Sequence, residues 1–150
     1  MNVYPNSRKV VQYYNYANGR DGNGGHGTAV TSTIAGKRSY SQGVAVGVAP
    51  NAKIAFFDIS DNSDPDNGVC CCVPSNFRVF LNQARLAGAK IHNISWGSAT
   101  DNNYITYDCI LDSFIYYDQD SIIVVAAGNK GPGANTVGSS TNAKNVITGR

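Results

Sequence analysis

A histidine set between a glycine loop and a short run of small and apolar residues is the group in this 150-residue chain best placed for proton-transfer chemistry. His26 follows Gly22-Asn23-Gly24-Gly25 and opens the stretch Gly27-Thr28-Ala29-Val30-Thr31-Ser32-Thr33-Ile34-Ala35-Gly36. The glycines permit turn geometries that a Cβ resists. A helix starting at His26 would hold the backbone while the imidazole points into a cleft. Val30 and Ile34 are four apart and share one helix face. Thr31, Ser32 and Ala35 are small enough for close packing against a neighbour. Gly36 reads as the C-cap, and Lys37 and Arg38 suit the negative end of the helix dipole. A lone histidine is ordinarily a surface residue or a satisfied core residue. It is the company His26 keeps that sets it apart.

The elements that would position this residue follow from apolar periodicity. Lys9 to Tyr16 is β-branched and aromatic and reads as a strand. Ile54 to Ile59 is a short, nearly all-apolar run, as a buried parallel strand requires. Residues 60–74, rich in Asp, Asn, Gly and Pro, read as a surface loop. Ser75 is the expected N-cap of a helix in which Phe77, Phe80, Leu81 and Ala84 fall at i, i+3, i+4 and i+7, ending near Gly88. Ile91 to Trp96 is a second buried-type strand. Tyr107, Ile110, Leu111 and Phe114 repeat the helical spacing. Ser121 to Ala127 contains Ile-Ile-Val-Val-Ala-Ala, the strongest strand signal. Gly128 to Asn142 is a glycine- and asparagine-rich loop, and Asn145 to Thr148 begins another strand. Strands alternating with helices argue for an α/β fold: right-handed crossovers and a parallel sheet with helices on both faces. Sites in such sheets form beyond the carboxyl ends of the strands, here after Ile59, Ser95 and Ala127.

Composition narrows the function classes. A net charge of +2 is too small to argue for nucleic acid or an anionic membrane. No apolar run approaches a membrane span, and Met1 to Val11 has no apolar signal core. The cysteines, at 70, 71, 72 and 109, lack the spacing of a zinc site, and His92 sits in an apolar strand. No metal ligand set is expected. A disulfide from Cys109 to one of the other three cannot be deduced from spacing.

Taken together, the blocks around these elements resemble the subtilisin-like serine proteases. His26-Gly27-Thr28-x-Val30 and Ile34-Ala35-Gly36 match the family's histidine motif, with Thr31 and Ser32 where Ala and Gly are usual. Gly47-Val48-Ala49-Pro50 and Asn142 to Thr148 match further blocks that carry no catalytic groups. Lys90 to Gly97 resembles the segment whose backbone pairs with substrate, with Trp96 in place of the usual Leu. Ile123 to Pro132 resembles the oxyanion block. The resemblance implies a serine endopeptidase acting on a polypeptide substrate, with His26 as catalytic base and Asn129 as donor to the oxyanion. Ser95, Trp96, Gly97 and Gly128 would bind substrate. An amide NH₂ fixed at a strand end is a neutral donor for a developing alkoxide. Family members are often secreted or lie in the secretory or endolysosomal lumen.

Two motifs of that chemistry do not occur in the chain. Neither D-[ST]-G before His26 nor G-T-S-x-A-x-P after Asn129 is present, and Asp21 lies in a glycine turn rather than at a strand end. The expectation is therefore that residues 1–150 are the central part of one peptidase domain, inactive and poorly soluble alone. The family's calcium loop finds no carboxylate set at Ser41 to Val46, so calcium has no support here. A non-catalytic relative serving as a peptide-binding module is the alternative. A dinucleotide-binding module is another, since Gly22 to Gly27 satisfies G-x-G-x-x-G, but no acid follows about 20 residues on. Asn93-Ile94-Ser95 is a glycosylation sequon whose acceptor is expected to be inaccessible inside a strand.

Overall fold

The computed structural model describes residues 2–19, 25–37, 46–59, 73, 75–97 and 102–149. They form two compact units, Met1–Ser75 and Asn76–Arg150. Much of the expected loops at 18–25, 39–47 and 60–74 lies outside the described residues, with Asp21, Ser41 to Ala45 and Cys70 to Cys72 among them.

In the N-terminal unit, β1 (Val10–Asn15) pairs in parallel with β2 (Ile54–Asp58), and α1 (His26–Ala35) is the helix between them in sequence. The register is made by aromatic pairs. Tyr13 stacks on Phe56 with centroids 5.6 Å apart, and Tyr14 on Phe57 at 5.3 Å. Cross-strand aromatic pairs of this kind contribute roughly 0.2–1 kcal/mol each. The Lys9 ammonium donates to the carbonyls of Pro50 (2.7 Å) and Ala52 (3.0 Å), tying the entry of β1 to the turn before β2.

The Gly47-Val48-Ala49 block proves to be the C-terminal cap of α1. The amides of Gly47, Val48 and Ala49 donate to the carbonyls of Gly36, Thr33 and Ile34 at 2.7–3.1 Å. These are carbonyls with no partner inside the helix. Any side chain at Gly47 would meet the Gly36 nitrogen at 2.5 Å, so the approach requires glycine.

In the C-terminal unit, β3 (Ile91–Ile94), β4 (Ile122–Ala126) and β5 (Ile147–Gly149) form a parallel sheet in that order, with α2 (Arg78–Leu86) and α3 (Thr106–Tyr117). Phe80, Leu81 and Ala84 of α2 are buried, as their spacing predicts. The helix starts later than expected: its N-cap is Phe77 rather than Ser75, and no side chain caps it. Phe77 is instead held by packing, edge-on to Phe80, Trp96 and Tyr107. Apolar burial thus outweighs a cap worth about 1 kcal/mol. The helix ends in a Schellman motif: Gly88, at φ +92°, donates to the Arg85 carbonyl, and Ala89 donates to that of Ala84.

The α/β class with parallel sheets holds, and among the described residues of this unit one face of the sheet is packed and the other exposed. His92, Ile94, Ile123 and Val125 face inward, and Phe114 of α3 lies edge-on to the His92 ring. Ile91, Ile122 and Ile147 on the opposite face are exposed. Only the β3-to-β4 connection carries a helix. Residues 127–146, between β4 and β5, have none. Asn93 shares the open face, so the sequon acceptor is exposed, contrary to expectation, and its Nδ2 donates to Ser95 Oγ at 2.9 Å. Cys109 is an exposed free thiol.

His92 is 7 % exposed, and its Nε2 has no hydrogen-bond partner among the described residues. Burial holds its pKa below the ordinary 6.5, against a smaller opposing pull from Asp118. Asp118 is itself engaged by Arg85, whose Nε lies 2.5 Å from Oδ2 but off the hydrogen-bond line. The unfolded chain therefore binds more protons than the folded one below that value. The contribution of a neutral His92 is fully present above about pH 6.5 and declines as pH falls through it. Urea midpoints measured from pH 7.5 to 5 should fall in the native protein, and His92→Leu should flatten that fall.

Candidate functional site

His26 belongs to the N-terminal unit, and Ser95, Trp96, Gly97, Gly128 and Asn129 to the C-terminal unit. The environment of His26 comes from the turn of the chain into α1. Gly25 takes φ +72°, a left-handed conformation that reverses the backbone, and His26 follows as the first helical residue with its side chain exposed. Gly27 lies against Phe56: a Cβ there would stand 2.9 Å from Phe56 Cζ. The first turn of α1 is thus seated on a ring that Tyr13 stacks in place.

Asp58 shapes the approach to this turn and was not singled out from sequence. It closes β2 and is 5 % exposed. Its Oδ2 accepts the Gly19 amide at 2.6 Å, and its carbonyl accepts the amides of Tyr16 and Ala17. One residue gathers the turn that leaves β1. The only sequence signal was a carboxylate ending an apolar strand.

In the C-terminal unit the expected residues fall at adjacent strand ends. The last paired residue of β3 is Ile94, opposite Val125. Ser95, Trp96 and Gly97 run on beyond it, and Gly128 and Asn129 run on beyond β4. Trp96 is half-buried and meets Phe77 edge-on with centroids 5.5 Å apart. Asn129 is exposed. Ala126, Ala127, Gly128, Asn129, Gly131 and Gly149 line an open cavity of about 360 Å³. Asn129 is therefore the one lining residue with a side-chain amide donor, in a concavity otherwise lined by alanine and glycine. That arrangement suits a neutral hydrogen bond to an oxygen developing charge.

The segment 138–140 backs both strand ends. The Gly138 amide donates to the Ala127 carbonyl at 3.0 Å. A Cβ on Gly97 would lie 3.3 Å from the Ser139 carbonyl, and one on Gly128 would lie 3.4 Å from the Gly138 nitrogen. Gly138, Ser139 and Ser140 are buried. By sequence this stretch is loop, and only packing against residues far away in sequence gives it a role. No cluster of metal-ligating side chains occurs among the described residues.

Gly128 combines that contact with φ +100°, a conformation costing a side-chain-bearing residue about 1–3 kcal/mol. Gly128→Ala should lower unfolding stability by about that amount. Gly149→Ala, whose Cβ would meet nothing within 4 Å, should leave it nearly unchanged. Paired urea titrations check both.

Comparison with known proteins gives the family. The family model for the subtilase family (Peptidase S8) matches residues 2–148. The serine protease/ABC transporter B family protein tagD of Dictyostelium discoideum is 38 % identical over 152 aligned residues, covering 95 % of this chain. The tagB protein of the same organism is 35 % identical over 97 % of the chain. The subtilisin-like protease SBT1.5 of Arabidopsis thaliana is 31 % identical over 75 % of it. The chain spans 8 % of the length of each of those two Dictyostelium proteins and 14 % of the Arabidopsis one. With a family model matched over nearly its whole length and relatives up to 38 % identical, the chain belongs to the subtilase family of serine proteases.

Proposed function

We propose that residues 1–150 form the central part of one peptidase domain that hydrolyses polypeptides, with His26 as general base and Asn129 as oxyanion donor. The observation that carries this reading is the placement of Asn129, an exposed amide at the end of a parallel strand, opening a cavity beside the end of β3. The family match across both units supports treating them as one domain.

In this reading His26 takes the proton of a serine hydroxyl as it attacks the scissile carbonyl. The carbonyl oxygen then gains negative charge, and the Asn129 Nδ2 donates to it without needing a charge of its own. His26 returns the proton to the departing amine. Ser95, Trp96 and Gly97, which continue β3 past its last partner, hold the substrate backbone as an added strand. Gly128 leaves room for the residue before the cut. The nucleophilic serine and the carboxylate that orients His26 would come from polypeptide outside these 150 residues, where the full-length protein carries them. The isolated segment should not hydrolyse peptides, because the acyl-enzyme route has no nucleophile.

The test uses the full-length protein. His26→Ala should abolish peptide hydrolysis. Asn129→Ala should lower turnover with little change in KM, and the roughly 10²- to 10³-fold loss known for the oxyanion asparagine of subtilisin sets the scale. A full-length protein that binds peptides but leaves them uncut would overturn this reading in favour of a non-catalytic binding module.

A further inference from the structure

The carboxylates of α3 point at a role the mechanism above does not use. Asp108 is completely buried. One oxygen, Oδ2, accepts the Ile105 amide at 2.8 Å and caps the first turn of the helix. The other, Oδ1, accepts the Asn142 amide at 3.1 Å. One turn further along the same face, Asp112 Oδ1 accepts the amides of both Lys144 and Asn145, each at 2.8 Å. Asp112 Oδ2 accepts the Tyr104 hydroxyl at 2.7 Å. That bond pushes the Tyr104 pKa up to about 12. The Asn142 side chain adds a bond from Nδ2 to the Asn103 carbonyl at 3.1 Å.

The clamped segment leads straight to the cavity. Residues 142–145 lie between Gly138-Ser139-Ser140, which backs Gly97 and Gly128, and β5, whose Gly149 lines the cavity. Thr141 donates to the Gly138 carbonyl at 2.5 Å, and Thr148 donates to that of Thr141 at 3.3 Å, so the segment is bonded along its length. At its far end the Gly149 carbonyl accepts the Ala127 amide at 2.8 Å. No helix connects β4 to β5, so the position of this return depends on what holds it. Backbone amides bonded to carboxylates are strong anchors, since charged acceptors roughly double the strength of a neutral bond.

We propose that Asp108 and Asp112 are positioning residues that fasten residues 138–145 to α3 and so set the wall of the cavity at Asn129. The proposal rests on the peptidase reading only where catalysis is the readout. Loosening the clamp displaces the wall rather than the reacting groups, and misplacement of about 1 Å is worth up to roughly 10²-fold in rate.

Three substitutions separate positioning from mere bulk. Asp112→Asn keeps Oδ1 for the two amides, and its NH₂ can donate to the Tyr104 oxygen, because a hydroxyl both donates and accepts. Asp108→Asn cannot adapt, since both carboxylate oxygens face backbone N–H groups and one would now face an NH₂. In the full-length protein, Asp108→Asn and Asp112→Ala should speed hydrogen exchange in peptides covering 126–131 and 138–149 at least tenfold. Asp112→Asn should stay within about threefold of native. On peptide substrates differing only in the residue before the cut, the first two variants should lose at least fivefold in discrimination, and Asp112→Asn should retain it.

Unchanged exchange in 126–131, or Asp112→Asn behaving like Asp112→Ala, overturns the clamp. Exchange that speeds up uniformly across β1, β2 and α1 as well reports global destabilisation and also overturns it. If the native protein cuts no peptide, the peptidase reading fails, while the exchange arm still decides the clamp.

Discussion

Parallel strand pairing is the constraint from which the rest follows. Two parallel neighbours cannot be joined by a tight hairpin, so the chain must return the length of the strand before it can pair again. Each return leg is a long excursion, and in this protein the excursions hold the groups of interest. Between β1 and β2 the return includes α1, with His26 at its first position. Between β3 and β4 it includes α3, with Asp108 and Asp112 on one face. Between β4 and β5 it carries Asn129 and the segment that backs the cavity, with no helix of its own.

A return leg without a helix has no internal hydrogen-bond ladder, so its amides bond to acceptors on other segments. This accounts for the concentration of side chain-to-backbone bonds at residues 141–148. Asp108 and Asp112 supply what a helix would have supplied from within. The same logic appears at a smaller scale in the N-terminal unit. Asp58 accepts the amides leaving β1, and the Gly47-Val48-Ala49 block satisfies the carbonyls at the end of α1.

Glycine works here by permitting close approach. Gly27 admits the Phe56 ring, Gly47 admits the end of α1, and Gly97 and Gly128 admit the 138–140 segment. At Gly27 and Gly47 a methyl group would intrude, at Gly97 it would be tight, and at Gly128 the φ of +100° is what requires glycine. Family blocks that look like sequence signatures are, in this structure, largely records of where two stretches of backbone pass each other.

The amino-acid sequence by itself determined the elements and their order. The apolar runs at Ile54 to Ile59 and Ile122 to Ala127 and the spacing of Phe80, Leu81, Ala84, Leu111 and Phe114 encode strand and helix through local periodicity. The family was legible in the blocks around His26 and Asn129 for the same reason, since each is contiguous. What tertiary structure alone decided lies between distant residues. Asp108 looks from sequence like an ordinary first-turn acid, yet one of its oxygens belongs to Asn142. Ser75 has the better capping side chain, yet Phe77 sets the helix start because Trp96 and Tyr107 are there to bury it. Asn93 sits in a strand, yet is exposed because, among the described residues of its unit, the packing of α3 falls on the opposite face, where His92 meets Phe114. Periodicity reports which way a side chain points from its own backbone, while the partner it meets depends on which distant segment packs there.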